Sequence, residues 1–287
     1  MIAVIRRHSV AAYFTIAFGL SWTAVMAVIW PGPIPAPPAD ATRLFPLVYL
    51  AMLIGPPAAG LSMTAIASGW PGLRDYFRRL TRWRAGARWY GVALGTAPLA
   101  LALTLVVLAP WSREFLPGVL RSENRGPIQA GSPISFLLFA LLVGIGAGFF
   151  EELGWTGFAI PAMRSRFGVN TTGLVVGVFW GAWHFLAIWW GSARAFGSAS
   201  VSMFMIVALF SFLPPYRILM VRVYEATGSL FVAILMHASL TACMILFGPS
   251  ATGNGAIVYD LVFGSVLWLM VAGTTGYKLG IANPRIA

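Results

Sequence analysis

The sequence predicts an all-α, polytopic membrane protein with about eight transmembrane helices and both termini in the cytoplasm. Three observations predict it. Of 287 residues, 59% are hydrophobic and only 9% are charged, whereas a soluble domain carries roughly 25% charged residues. Mean hydropathy is +0.82. The apolar residues gather in stretches of about 20, the length that crosses a hydrocarbon core of about 30 Å.

In chain order the spans are residues 10–30, 44–68, 89–110, 133–163, 173–192, 199–223, 229–247 and 256–273. The first follows Arg6 and Arg7, as a signal peptide would. Its apolar stretch exceeds the roughly 7 to 15 residues of a signal core and no small-residue cleavage pattern follows, so it reads as an uncleaved span. A Pro-rich turn at 31–38 leads to the second. The fourth contains Glu151 and Glu152, the fifth His184 and the seventh His237. The sixth is broken by Pro214 and Pro215 ahead of Arg217 and Arg222, and the eighth carries Asp260 near its outer end, with no role assigned. The longest loops, 69–88 and 111–132, are too short for a soluble domain, so residues 1–287 read as one transmembrane domain. The single cysteine, Cys243, cannot form an intrachain disulfide and reads as packing.

Nineteen basic residues, 18 of them Arg, face 8 acidic ones, for a formal charge of +11. In a soluble protein this would suggest a nucleic-acid partner; here the charge belongs in cytoplasmic loops, and no nucleic acid is expected. Alternating the spans places Arg6, Arg7, Arg74, Arg78, Arg79, Arg82, Arg84, Arg88, Arg164, Arg166, Arg217, Arg222, Lys278 and Arg285 on one side. Arg43, Arg113, Arg121, Arg125 and Arg194 fall on the other. The larger set marks the cytoplasm. Residues 74–88 interleave six Arg with Tyr76, Phe77 and Trp83, which fits an interfacial helix on acidic headgroups as well as an ordinary topogenic loop. The excess of Arg over Lys suggests a GC-rich, bacterial coding sequence, hence a multi-pass protein of the plasma membrane, the bacterial inner membrane.

The candidate site rests on scarcity. A carboxylate at membrane depth costs at least about 2.5 kcal/mol, so Glu151 and Glu152 are expected to face a cavity and mark function. The alternative is an ion pair between helices, for which no Arg or Lys lies within one turn. His8 sits beside Arg6 and Arg7 as a surface residue. At 1.5 Å per residue, Glu151 lies about 18 Å, His184 about 16 Å and His237 about 12 Å from the cytoplasmic ends of their spans, which puts three helices' ionisable groups in one layer. Gly144, Gly148 and Glu152 share a helix face, as do Gly173, Gly177 and Gly181, with His184 one turn on. Such small-residue faces let membrane helices approach closely. His237 and Thr241 share a face, and Trp180 and His184 another; Trp180 either walls the cavity or packs.

These residues fall into three motifs: Glu151-Glu152-Leu-Gly-Trp-Thr156, Trp180-Gly-Ala-Trp-His184 and His237-Ala-Ser-Leu-Thr241. The pattern resembles that of the CPBP intramembrane proteases, which include the type II CAAX prenyl endopeptidases and relatives linked to bacteriocin processing or immunity. Their signature is Glu-Glu-x-x-x-Arg, Phe-x-x-x-His and His-x-x-x-Asn on successive helices. The stretch from Tyr224 to Leu230 is also similar, and the resemblance covers residues 140–247. Three positions depart from it. Thr156 stands for the arginine, which leaves Glu152 without its helical partner; Trp180 stands for Phe; Thr241 stands for the asparagine credited with binding the oxyanion.

The resemblance implies catalytic roles for Glu151, Glu152, His184, His237 and Thr241. Glu151 with His184 would activate a water, and His237 with Thr241 would polarise the scissile carbonyl. No Ser or Cys with a base of its own is present, so water attacks directly. No cofactor is expected, although Glu151, His184 and His237 would also suit one zinc ion with an open position; the HExxH spacing of zinc peptidases is absent. The expected partners are the bilayer and a membrane-associated peptide or protein substrate, not necessarily prenylated. A proton-coupled transporter or a non-catalytic binding or immunity protein is the alternative, since buried carboxylates and histidines also build proton relays.

Overall fold

A computed structural model describes residues 6–117, 132–192 and 200–275. Arg121, Arg125, Arg194, Lys278 and Arg285, all used in the charge count, lie outside them. The described residues form α1 (Ser9–Ile29), α2 (Pro38–Met52), α3 (Gly55–Leu80), α4 (Ala87–Leu108), α5 (Pro133–Gly154), α6 (Ile160–Arg164), α7 (Val169–Gly191), α8 (Val201–Phe210), α9 (Leu213–Thr227), α10 (Leu230–Phe247) and α11 (Asn254–Gly273). No strand occurs among them. Eight helical segments are long and apolar enough to cross a membrane, as the sequence predicts: α1, α2 with α3, α4, α5 through α6, α7, α8 with α9, α10 and α11.

Two spans differ from continuous helices, each at prolines. The second, expected over 44–68, breaks at Leu53–Ile54, because Pro56 and Pro57 bring no N–H to the first turn of α3. Ser21 of α1 repairs the break: its hydroxyl donates to the Met52 carbonyl (2.6 Å) and accepts from the Gly55 N–H (3.2 Å). Further on, Gly69 adopts φ +61° ahead of Pro71. A side chain there would be strained, and α3 bends before its last turns. The Arg-rich stretch 74–88 is therefore not one interfacial helix: α3 ends at Leu80 and α4 starts at Ala87. Tyr76 is buried and donates to the Leu153 carbonyl (2.6 Å), while Arg79 donates to the Gly157 carbonyl (3.1 Å) and the Tyr224 hydroxyl (2.9 Å). This segment is bolted to the core.

The sixth span breaks where Pro214 and Pro215 predict. The prolines occupy the first turn of α9, where missing N–H groups are harmless. Thirteen of the fifteen residues of α9 are buried, so this helix is wrapped by its neighbours, and any charge on it must find a partner inside the protein. The glycine faces set the packing around it. A Cβ at Gly148 of α5 would stand 2.5 Å from the Ile234 carbonyl oxygen of α10, and one at Gly177 of α7 would stand 2.5 Å from Pro214 Cα of α9. Only glycine permits these approaches, and they bring α5, α7, α9 and α10 together around one buried layer.

Candidate active site

The fourth span is not uniform α-helix. After Gly154 the chain makes a π-helical turn, Trp155–Ala159, before resuming as α6. A π turn inserts one residue and shifts helical phase, a distortion common at functional sites. Here Trp155 donates from its indole N–H to Glu151 Oε2 at 3.3 Å. Trp180 of α7 donates to the same oxygen at 2.7 Å. Two indoles thus clamp one oxygen of Glu151, while Oε1 lies 4.0 Å from His237 Nε2. Trp180 is therefore both wall and ligand, a donor that Phe would lack.

Glu152 is fully buried and has three partners on three helical segments. Thr156 donates to Oε2. Arg217 of α9 places Nη1 2.7 Å from Oε1 and 2.8 Å from Oε2. His237 of α10 places Nδ1 2.7 Å from Oε1. A carboxylate against a guanidinium only accepts, so Nδ1 of His237 donates to it, and Nε2 is the nitrogen turned toward Glu151. His184 is held similarly: Nδ1 faces the Trp180 carbonyl at 2.8 Å, and its ring lies edge-on to Trp180 and Trp183, with centroids 5.8 and 4.8 Å apart.

A cavity of about 780 Å³ opens beside these groups, lined by Glu151, Trp180, Trp183, His184, His237 and Thr241 among mostly apolar side chains. Its volume lies within the range of small-molecule and peptide sites. Glu152, Thr156 and Arg217 do not line it; they sit behind His237. The structure thus brings together all five residues singled out from the sequence and divides them into a group that faces the cavity and a carboxylate that supports it. No hydrogen bond joins Glu151 to His184 among the described residues; the histidine between the two carboxylates is His237.

Two expectations are corrected. Glu152 does not lack a partner, because Arg217 supplies from another helix the cation that Thr156 removes from its own. Arg217 is not a loop charge: it is fully buried in α9 and does not belong in the topology count. Its guanidinium also stacks over the Trp180 ring at 4.1 Å, a favourable cation–π geometry. Arg217 and Trp155 are the site residues that sequence reasoning missed. Arg217 did carry a signal, an ionisable residue followed by the apolar run Ile218–Val221.

Among the described residues no three His, Cys, Asp or Glu side chains come together in an arrangement that could hold a metal ion. The pairing of each histidine Nδ1 with an oxygen is also how metal-bound imidazoles are oriented.

Residues 133–243 match the family model described as type II CAAX prenyl endopeptidase Rce1-like. This segment is similar to that family. The chain is also 26% identical over 141 residues to CAAX prenyl protease 2 of Methanococcus maripaludis, an alignment covering 49% of this chain and 49% of that protein. The chain thus matches about half the length of this curated relative. The Rce1-like segment holds every residue of the buried layer, from Glu151 through Arg217 to Thr241. The anchoring residues Ser21, Tyr76 and Arg79 lie outside it.

Proposed function

We propose that this protein is an intramembrane endopeptidase that hydrolyses a peptide bond of a membrane-associated substrate by direct attack of water, without a metal ion or an acyl-enzyme. The observation that carries this reading is Glu151 at the cavity wall, one oxygen clamped by two indole N–H groups and the other 4.0 Å from His237 Nε2. Water held between Glu151 Oε1 and the histidines gives its proton to Glu151 as its oxygen bonds to the scissile carbonyl carbon. Flanked by two carboxylates, His237 donates from Nε2 to the oxyanion; the Thr241 hydroxyl is the second donor. His184 Nε2 orients the water. Glu151 then passes its proton to the departing amine, so the cycle closes with one water consumed.

The largely apolar cavity favours a substrate whose flank is lipid-linked or hydrophobic. The test is reconstitution in proteoliposomes with a panel of prenylated and unprenylated membrane-anchored peptides, products being read by mass spectrometry. Cleavage that survives chelation supports the reading. Loss to a chelator with recovery on zinc would replace it by a metal mechanism, and solute movement without cleavage would replace it by transport.

A further inference from the structure

We propose that Arg217 is a positioning residue for the hydrolysis proposed above: it holds Glu152 in place, and through Glu152 it fixes the orientation of His237. The chain of contacts is direct. Arg217 Nη1 bridges both oxygens of Glu152, at 2.7 and 2.8 Å, and Oε1 of Glu152 lies 2.7 Å from His237 Nδ1. His237 then meets the cavity and approaches Glu151 with Nε2. Arg217 reaches the second carboxylate as well, since it stacks on Trp180, whose N–H holds Glu151. Neither Arg217 nor Glu152 lines the cavity, so both act through His237 and Trp180 rather than on substrate.

Stability alone does not account for this pair. A buried ion pair is often no better for stability than apolar residues of equal volume, and this one leaves Nε and Nη2 of Arg217 without a hydrogen-bond partner. Its distinguishing product is an anion fixed behind a histidine, which orients the ring as the aspartate of a hydrolase triad does. The motif places an arginine four residues after its second glutamate, where this chain has Thr156. Position 156 and Arg217 approach the same carboxylate from two helices, so charge delivered from either should serve.

This proposal rests on the peptidase reading, and the variants separate the two. Arg217→Met leaves a buried carboxylate without its guanidinium and is expected to lower thermal stability as well as kcat. The double variant Glu152→Gln with Arg217→Met removes both charges; it is expected to regain wild-type melting behaviour while kcat stays down about 100-fold with KM within threefold. Thr156→Arg with Arg217→Met re-supplies the cation from position 156 and is expected to recover kcat to within tenfold of wild type. A double-neutral variant with wild-type kcat would show a merely structural pair and overturn the proposal, as would failure of the relocated arginine in a folded protein. Should wild type cleave no peptide, the peptidase reading fails by itself. The nitrogen-15 spectrum of His237 then decides the arginine's role: an Nδ1-protonated signal in wild type that changes in Arg217→Met supports it, and an unchanged signal overturns it.

Discussion

Thr241 lies one turn beyond His237 on α10 and shares the cavity wall with it. In the proposed reaction its hydroxyl gives the oxyanion a hydrogen bond where the motif supplies a longer amide. Thr241→Val should therefore lower kcat by about 10²-fold and leave KM within threefold, because a donor aimed at the transition state contributes little to ground-state binding. Thr241→Asn should retain or exceed wild-type kcat. Steady-state kinetics on reconstituted protein measure both. The residues that face the cavity were legible in the sequence because their relations are local or periodic: Trp180 to His184 and His237 to Thr241 are one-turn spacings. Arg217 was not, because its contact with Glu152 spans 65 residues and sequence periodicity does not say which neighbour a helix face will meet.

The helices were legible from apolar length, and their interruptions from proline. What spacing did not reveal is how an interruption is made tolerable. The break between α2 and α3 frees a carbonyl and an N–H inside the protein, and Ser21 of α1 satisfies both. Ser21→Ala should destabilise the protein by about 1–3 kcal/mol, the cost of leaving buried polar groups unpaired, read as a lower melting temperature in detergent. A melting temperature equal to wild type would show that the break is satisfied otherwise. The glycine faces were read correctly as surfaces of close approach, but their consequence needed the structure. Gly177 meets α9 beside the Cβ of Arg217, so the same contact that packs two helices also seats the buried cation. The Arg-rich stretch after Gly69 shows another limit: its composition fits an interfacial helix or a topogenic loop, and neither reading reveals that Tyr76 and Arg79 tie it to Leu153 and Gly157 beside the glutamate turn.

For the molecule as a whole, the charge distribution predicts orientation. With Cys243 replaced, single cysteines at Arg84 and Arg166 should react with an impermeant reagent only from the cytoplasmic side, and one at Trp111, which is well exposed, only from the other. Labelling of Arg84 and Arg166 positions from opposite sides would undo the eight-span alternation. The architecture also explains why so few charges suffice. The buried layer of Glu151, Glu152, Arg217 and His237 is drawn from three helices, and α9, enclosed by the others, brings the cation where no loop could. In the proposed reaction Glu151 is the base of a hydrolytic site built on that layer. The most direct test of this role is kcat of Glu151→Gln against wild type on a peptide that wild type cleaves, with equal melting temperatures as the control for folding. A loss of at least about 10²-fold is expected, as for removal of a general base; turnover within threefold of wild type would rule out that role for Glu151.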